Sequence, residues 1–196
     1  MKSGLAEVRA SGLAVLALAV ILCGIYPLVS WTLAQGLFPA RANGSLVVRN
    51  GIIMGSSLIG RELAGPAYFH PRPSEAGRGY DAVRSGGSNL GPLSKELVER
   101  VRQRAAAYRA ENGLPADAQV PADAVTASAS GLDPHISLEN ALLQAPRVAR
   151  ARGLTDAEIL RQVEAFSQGR TLGFLGEARV NVLLLNLALD GVRRAE

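Results

Sequence analysis

The chain has 196 residues, 48% of them hydrophobic and 19% charged, which leaves room for one packed domain plus one further segment and excludes a disordered chain. A formal charge of +4, with acidic side chains interleaved among basic ones as at Glu96, Glu99, Arg100 and Arg102, describes solvated helix faces rather than a nucleic-acid footprint. Aromatic residues make up 5%, too few for a platform of stacked bases, and the lone Cys23 leaves no intramolecular disulfide to expect.

Residues 13–29, LAVLALAVILCGIYPLV, carry no charge, and uncharged residues continue to Phe38. Since roughly 20 helical residues cross a hydrocarbon layer of ~30 Å, this tract predicts an N-terminal tail over 1–12, a transmembrane helix over 13–38 and a soluble domain over 39–196. Tyr26 and Trp31 suit the headgroup zone, and Pro27 predicts a kink. The competing reading is a cleaved signal peptide ending near Ala40-Arg41-Ala42, but the apolar tract is longer than a signal h-region, which favours a retained anchor. Lys2, Arg9 and the terminal amine precede the span, with Glu7 among them, while Arg41 and Arg49 follow it. This weak bias points to a cytoplasmic N-terminus and an external soluble domain.

Two β-branched runs flank Asn50-Gly51, residues that tolerate the positive φ of a type I′ turn, so a hairpin is expected just after the span. Residues 65–92 are dense in Gly, Pro and Ser and predict a long ordered loop. Ser94 caps an expected helix to Asn112, stopped by Gly113, with Leu97, Val98, Val101, Ala105 and Tyr108 on one face. Ser137 starts a helix through Gln144 that Pro146 is expected to break, with a second piece following to Gly153. Thr155 and Glu158 form a capping box that opens a helix toward Gln168. The run over 180–189 is too short to span a membrane and reads as a core helix. The fold class is α+β: one N-terminal transmembrane helix, then a single mixed domain with a small β-element and several helices.

Several constellations invite a chemical reading. SGGSNLGP (85–92) sets Ser85, Gly86, Gly87, Ser88 and Asn89 together, a segment able to turn backbone amides toward a phosphate, yet it lacks the Lys-Ser/Thr ending of a Walker A loop. TASASGLDPHIS (126–137) gathers Ser130, Gly131, Asp133 and His135. It has too few ligands for a metal and no nucleophile elbow, while a turn at Asp133-Pro134 and a cap at Ser137 account for most of it. Gln144 with Arg147, Arg150 and Arg152 suits an anion or a partner carboxylate as well as a solvated basic face.

Taken in order, GSSLIG (55–60), YFHPRPS (68–74), SGGSNLGP (85–92), TASASGLDPHIS (126–137), QAPRVARARG (144–153) and GFLGEARVNVLLLNLALD (173–190), after one span, resemble the KdpC family over nearly the whole chain. The resemblance implies a non-catalytic subunit of a potassium-pumping P-type ATPase in the bacterial inner membrane. Its implied partners are a potassium-channel-like subunit, a P-type ATPase subunit, a small single-span subunit and membrane lipid, with no nucleic acid. It implies a catalytic chaperone that raises the ATP affinity of the hydrolysing subunit, with no covalent cofactor and ATP shared with that subunit. Gln144 and Arg147 are then the expected nucleotide-facing groups, with residues 85–89 behind them. The chain has no Asp-Lys-Thr-Gly phosphorylation motif, so it carries no phosphoryl transfer of its own. An external domain that braces the channel-like subunit without touching nucleotide stays open as the alternative, because ATP is inside the cell.

Overall fold

The computed structural model describes residues 2–191; Met1 with its terminal amine, and residues 192–196 at the end of the expected soluble domain, lie outside the described residues. Contacts divide the chain into two units, Met1–Leu46 and Val47–Glu196.

The first unit is helical. Helix α1 (Lys2–Ala19) runs into a π-helical turn (Val20–Ile25) and then α2 (Tyr26–Leu37), followed by the short α3 (Pro39–Ala42). Gly4–Leu37 forms one apolar stretch whose side chains are unburied within the fold, which fits a single-pass membrane protein. The Pro27 region is resolved as a change of helical register: the Tyr26 N–H donates five residues back, to Ile21 O, just before the proline ring arrives. Proline lacks an N–H and its ring collides with the carbonyl four residues earlier, and widening the preceding turn relieves that collision.

A two-stranded hairpin follows, β1 (Leu46–Arg49) and β2 (Ile52–Ser56), all of it but Leu46 in the second unit. Asn50 at φ 51° and Gly51 at φ 76° supply the left-handed pair that the turn requires. Residues 57–94 contain only a 3₁₀ turn at Ala82–Arg84, so the expected long ordered loop is what the chain forms.

Helix α4 (Lys95–Asn112) starts at Ser94, whose hydroxyl accepts the Leu97 N–H, and stops at Gly113 in the left-handed conformation. Its inward face carries Leu97, Val101 and Tyr108 together with Arg100 and Arg104, whereas Val98 is exposed. After the single turn α5 (Ala122–Val125), β3 (His135–Ser137) leads into α6 (Leu138–Arg152), and α7 (Asp156–Ala165) follows through the Thr155–Glu158 capping box. Two expectations are corrected here. Helix α6 runs unbroken through Pro146 to Arg152. Buried residues on both sides of the proline, among them Ala141, Ala145, Val148 and Ala149, hold the helix by packing, and that outweighs one missing hydrogen bond. Helix α7 ends at Ala165, short of Gln168, because Ser167–Gln168 forms β4 and pairs with β5 (Arg179–Asn181).

The three-stranded sheet has the order β3-β5-β4, antiparallel throughout, with Ile136 opposite Val180 and Ser167 also opposite Val180. The apolar run over 180–189 therefore divides into the strand β5 and the helix α8 (Val182–Leu189), with Asn181 capping through its side chain onto Leu184 N. The core lies between α6, α7, α8 and the sheet, around Val148, Ile159, Val163, Val180, Leu185 and Leu189. Phe69, from the long loop, is completely buried in it.

Candidate functional site

The long loop stays ordered without regular structure because α6 and α8 satisfy its backbone with side chains. Along Pro66 to His70 the main chain cannot form a ladder, yet a buried backbone group left unpaired is costly. Asn186 of α8 clamps Phe69 from both sides, its Oδ1 accepting the Phe69 N–H at 2.8 Å and its Nδ2 donating to the Phe69 carbonyl at 2.8 Å. Gln144 of α6 does the same for the next residue, accepting from His70 N at 2.7 Å and donating to His70 O at 3.0 Å. Two side-chain amides thus take the place of a neighbouring strand.

Arginines complete the frame. Arg147 donates through Nη1 to the carbonyls of Pro66 and Tyr68, through Nη2 to Gln144 Oε1, and through Nε to Asn112 Oδ1 at 2.9 Å. Arg152 donates to Ala67 O, lies over the Tyr68 ring and pairs with Asp190 at 2.9 Å. The network extends from Gln144 Nε2 to Asn140 Oδ1, which also accepts the Tyr108 hydroxyl, so α4, α6, α8 and the loop are joined by one continuous set of bonds. Gln144 is 1% exposed and Arg147 5%. Burial lowers the Arg147 pKa from its ordinary value and raises that of Tyr108.

The glycine-rich segment docks on the other motif loop. Ser85 Oγ and Gly86 N both donate to Ser130 O at 2.9 Å. Gly87 sits so close that a Cβ there would lie 3.0 Å from Ala129 O. Gly131, at φ +67°, would place a Cβ 2.7 Å from both Ala76 N and Gly86 O. Asn89 is left-handed at φ 51°, and Ser88 Oγ accepts the Leu90 N–H at 3.5 Å. Two segments expected to be candidate ligand loops therefore meet each other, with the GSSLIG block joining them through Gly60 N to Leu132 O at 2.7 Å.

Asp133 lies at the edge of this cluster. It accepts Arg72 Nη1 at 3.0 Å and its own turn amide, His135 N, at 3.0 Å, while the His135 ring stands 3.6 Å away. Burial pushes its carboxyl up, and His135 and Arg72 together pull it below the ordinary aspartate value. Arg72 Nε is buried without a partner among the described residues. Nearby, Arg104 and Arg100 hold the Glu75 carboxyl below its usual range.

Three clefts touch these residues. One of about 480 Å³ is lined by His70, Arg72, Ser74, Arg78 and Tyr80; one of about 170 Å³ opens beside His70, Tyr108, Asn140 and Gln144; one of about 490 Å³ lies against Asp123, Asp133, His135 and Arg179. Asp133 and His135 line the third and Gln144 the second, whereas Arg147 and residues 85–89 line none of the three. Among the described residues no group of three His, Cys, Asp or Glu side chains is placed to hold a metal ion. The sequence reading missed Asn112, Asn140, Asn186 and Asp123. Asn186 was visible in principle, as a polar residue inside the apolar run LLLNLAL, where only a hydrogen-bonded partner would justify its burial.

The family model described as "KdpC: K+-transporting ATPase, c chain" matches residues 8–191. A protein of Mycobacterium tuberculosis (strain H37Rv) named potassium-transporting ATPase KdpC subunit is 55% identical over 166 residues, covering 85% of this chain and 88% of that one. Proteins of the same name from Koribacter versatilis and Nitratidesulfovibrio vulgaris are 51% and 53% identical, covering 89% and 94% of this chain and the same shares of their own.

Proposed function

The chain belongs to the KdpC family of potassium-transporting ATPase subunits, and from that premise we propose that it is the non-catalytic accessory subunit of an ATP-driven potassium-uptake complex, held in the inner membrane by its single span. In this reading its partners are the channel-like, P-type ATPase and small single-span subunits, and its soluble domain lies outside the cytoplasm. It stabilises the assembly and raises the ATP affinity of the hydrolysing subunit. To do so it must bind two states of the pump unequally, since a subunit with equal affinity for both shifts nothing.

The observation that carries this reading is the internal commitment of Gln144 and Arg147. The groups best suited by chemistry to an anion hold the domain's own backbone, so the domain offers its neighbours a fixed shape. Sharing a nucleotide directly would require those bonds to be given up. The same observation favours the second reading, an external brace on the channel-like subunit that leaves nucleotide affinity alone.

The test is ATP hydrolysis by the reconstituted complex with and without this chain, titrated in ATP. The first reading expects potassium-stimulated hydrolysis to be lost at limiting ATP; the second expects an unaltered KM for ATP with a weakened assembly. Identical hydrolysis and identical subunit retention without the chain would reject both. Labelling of a cysteine introduced in residues 47–191 by an impermeant reagent checks the topology, and reaction in inverted vesicles alone would reject an external domain.

A further inference from the structure

We infer that the π-helical turn of the span is a hydrogen-bonding socket for a hydroxyl or carboxamide side chain on a neighbouring span of the complex, with the carbonyl of Leu22 as its acceptor. This rests on the reading above, in which the chain is one of several membrane-spanning subunits. In an α-helix the carbonyl of residue i receives the N–H of residue i+4. For Leu22 that donor is Tyr26, but the Tyr26 N–H is turned to Ile21 O. The wider π turn would offer Leu22 the N–H of position 27 instead, and position 27 is a proline. Both main-chain routes to the Leu22 carbonyl are closed.

Depth makes this matter. A hydrocarbon crossing takes about 20 residues, and every 20-residue stretch drawn from 13–38 contains Leu22, no nearer than three residues to either end. Water cannot serve a carbonyl there, and a backbone group unsatisfied in hydrocarbon is one of the states membrane proteins avoid. The flanking side chains Ile21, Leu22 and Ile25 are about half exposed or more, so this part of the helix is open to a neighbour. Lipid tails carry no donor. Short polar side chains on a packed helix do, and inter-helix hydrogen bonds of this kind contribute to association in membranes.

The experiment uses the whole complex in detergent and in vesicles. Cys23, the chain's only cysteine, lies beside Leu22, so oxidative crosslinking to single cysteines placed along the partner spans identifies the neighbouring segment and its Ser, Thr, Asn or Gln. Pro27→Ala returns an N–H to the chain and lets the span close its own carbonyl. The expected result is that removing the partner's hydroxyl or amide weakens retention of the wild-type chain by about 3- to 20-fold and of the Pro27→Ala chain hardly at all. Pro27→Ala alone should weaken retention by the same factor while its carbonate-resistant membrane insertion stays intact. Equal weakening of both chains, tighter retention of Pro27→Ala, or reaction of Cys23 with a water-soluble maleimide in the intact complex would overturn the inference while leaving the accessory-subunit reading in place. Failure of the wild-type chain to co-purify with pump subunits would overturn both.

Discussion

Gln144→Leu keeps most of the side-chain volume at the centre of α6 and removes both halves of its amide. Four hydrogen bonds are lost: from His70 N, to His70 O, to Asn140 Oδ1 and from Arg147 Nη2. Arg147 keeps Asn112, Pro66 and Tyr68, and Asn140 keeps Tyr108, so the main damage falls on the two backbone groups of His70. Each buried group left unpaired costs about 1–3 kcal/mol. His70 is only half-buried, so water recovers part of this, and the net loss is about 2–4 kcal/mol. That is a large share of the roughly 5–15 kcal/mol that holds a domain folded, and it corresponds to a fall in Tm of roughly 5–15 °C. Circular dichroism at 222 nm on the full chain in detergent reads this as loss of the helices of residues 47–191 over the constant signal of the apolar N-terminal helix. A shift within about 2 °C would refute the structural role assigned to Gln144. An unchanged Tm combined with a lost ATP response of the complex would instead assign Gln144 to a ligand.

Gly131→Ala places a Cβ 2.7 Å from two backbone atoms at a left-handed φ, so it should cost at least about 2 kcal/mol and loosen residues 85–87, read as faster proteolysis in that loop. Pro146→Ala should raise stability by about 1–3 kcal/mol, since the helix already continues through this position and alanine restores a hydrogen bond; a lower Tm would show that the ring's packing outweighs its cost. The Glu75 and Asp133 carboxyls both lie below their ordinary values of 4.5 and 3.8 in the folded chain. Their stabilisation is therefore complete above those values and is lost as pH falls through the lower folded ones. Tm should drop with acid below about pH 4.5, and Glu75→Gln should show a lower Tm at neutral pH with a shallower acid decline; parallel curves for the two proteins would count against the Arg100–Glu75–Arg104 cluster.

The sequence by itself determined the local features of this protein. Ser94, Gly113, Ser137, the Thr155–Glu158 box and Asn50-Gly51 act within a few residues of themselves, and the apolar tract after Arg9 announces a helix long enough to cross a membrane. Tertiary structure decided what depends on partners distant in the chain. Pro146 sits within a helix because packing from both sides outweighs one absent bond, and β4 ends α7 early because β5 is there to receive it. In the sequence Gln144 and Arg147 suit an anion, a partner carboxylate or a solvated basic face alike, because the polar residues beside them are Arg150 and Arg152. The hydrogen-bond partners of Gln144 and Arg147 at Pro66, Tyr68, His70 and Asn112 stand 35 to 81 positions away along the chain, and it is the need to satisfy buried backbone, imposed only once Phe69 enters the core, that turns these side chains inward.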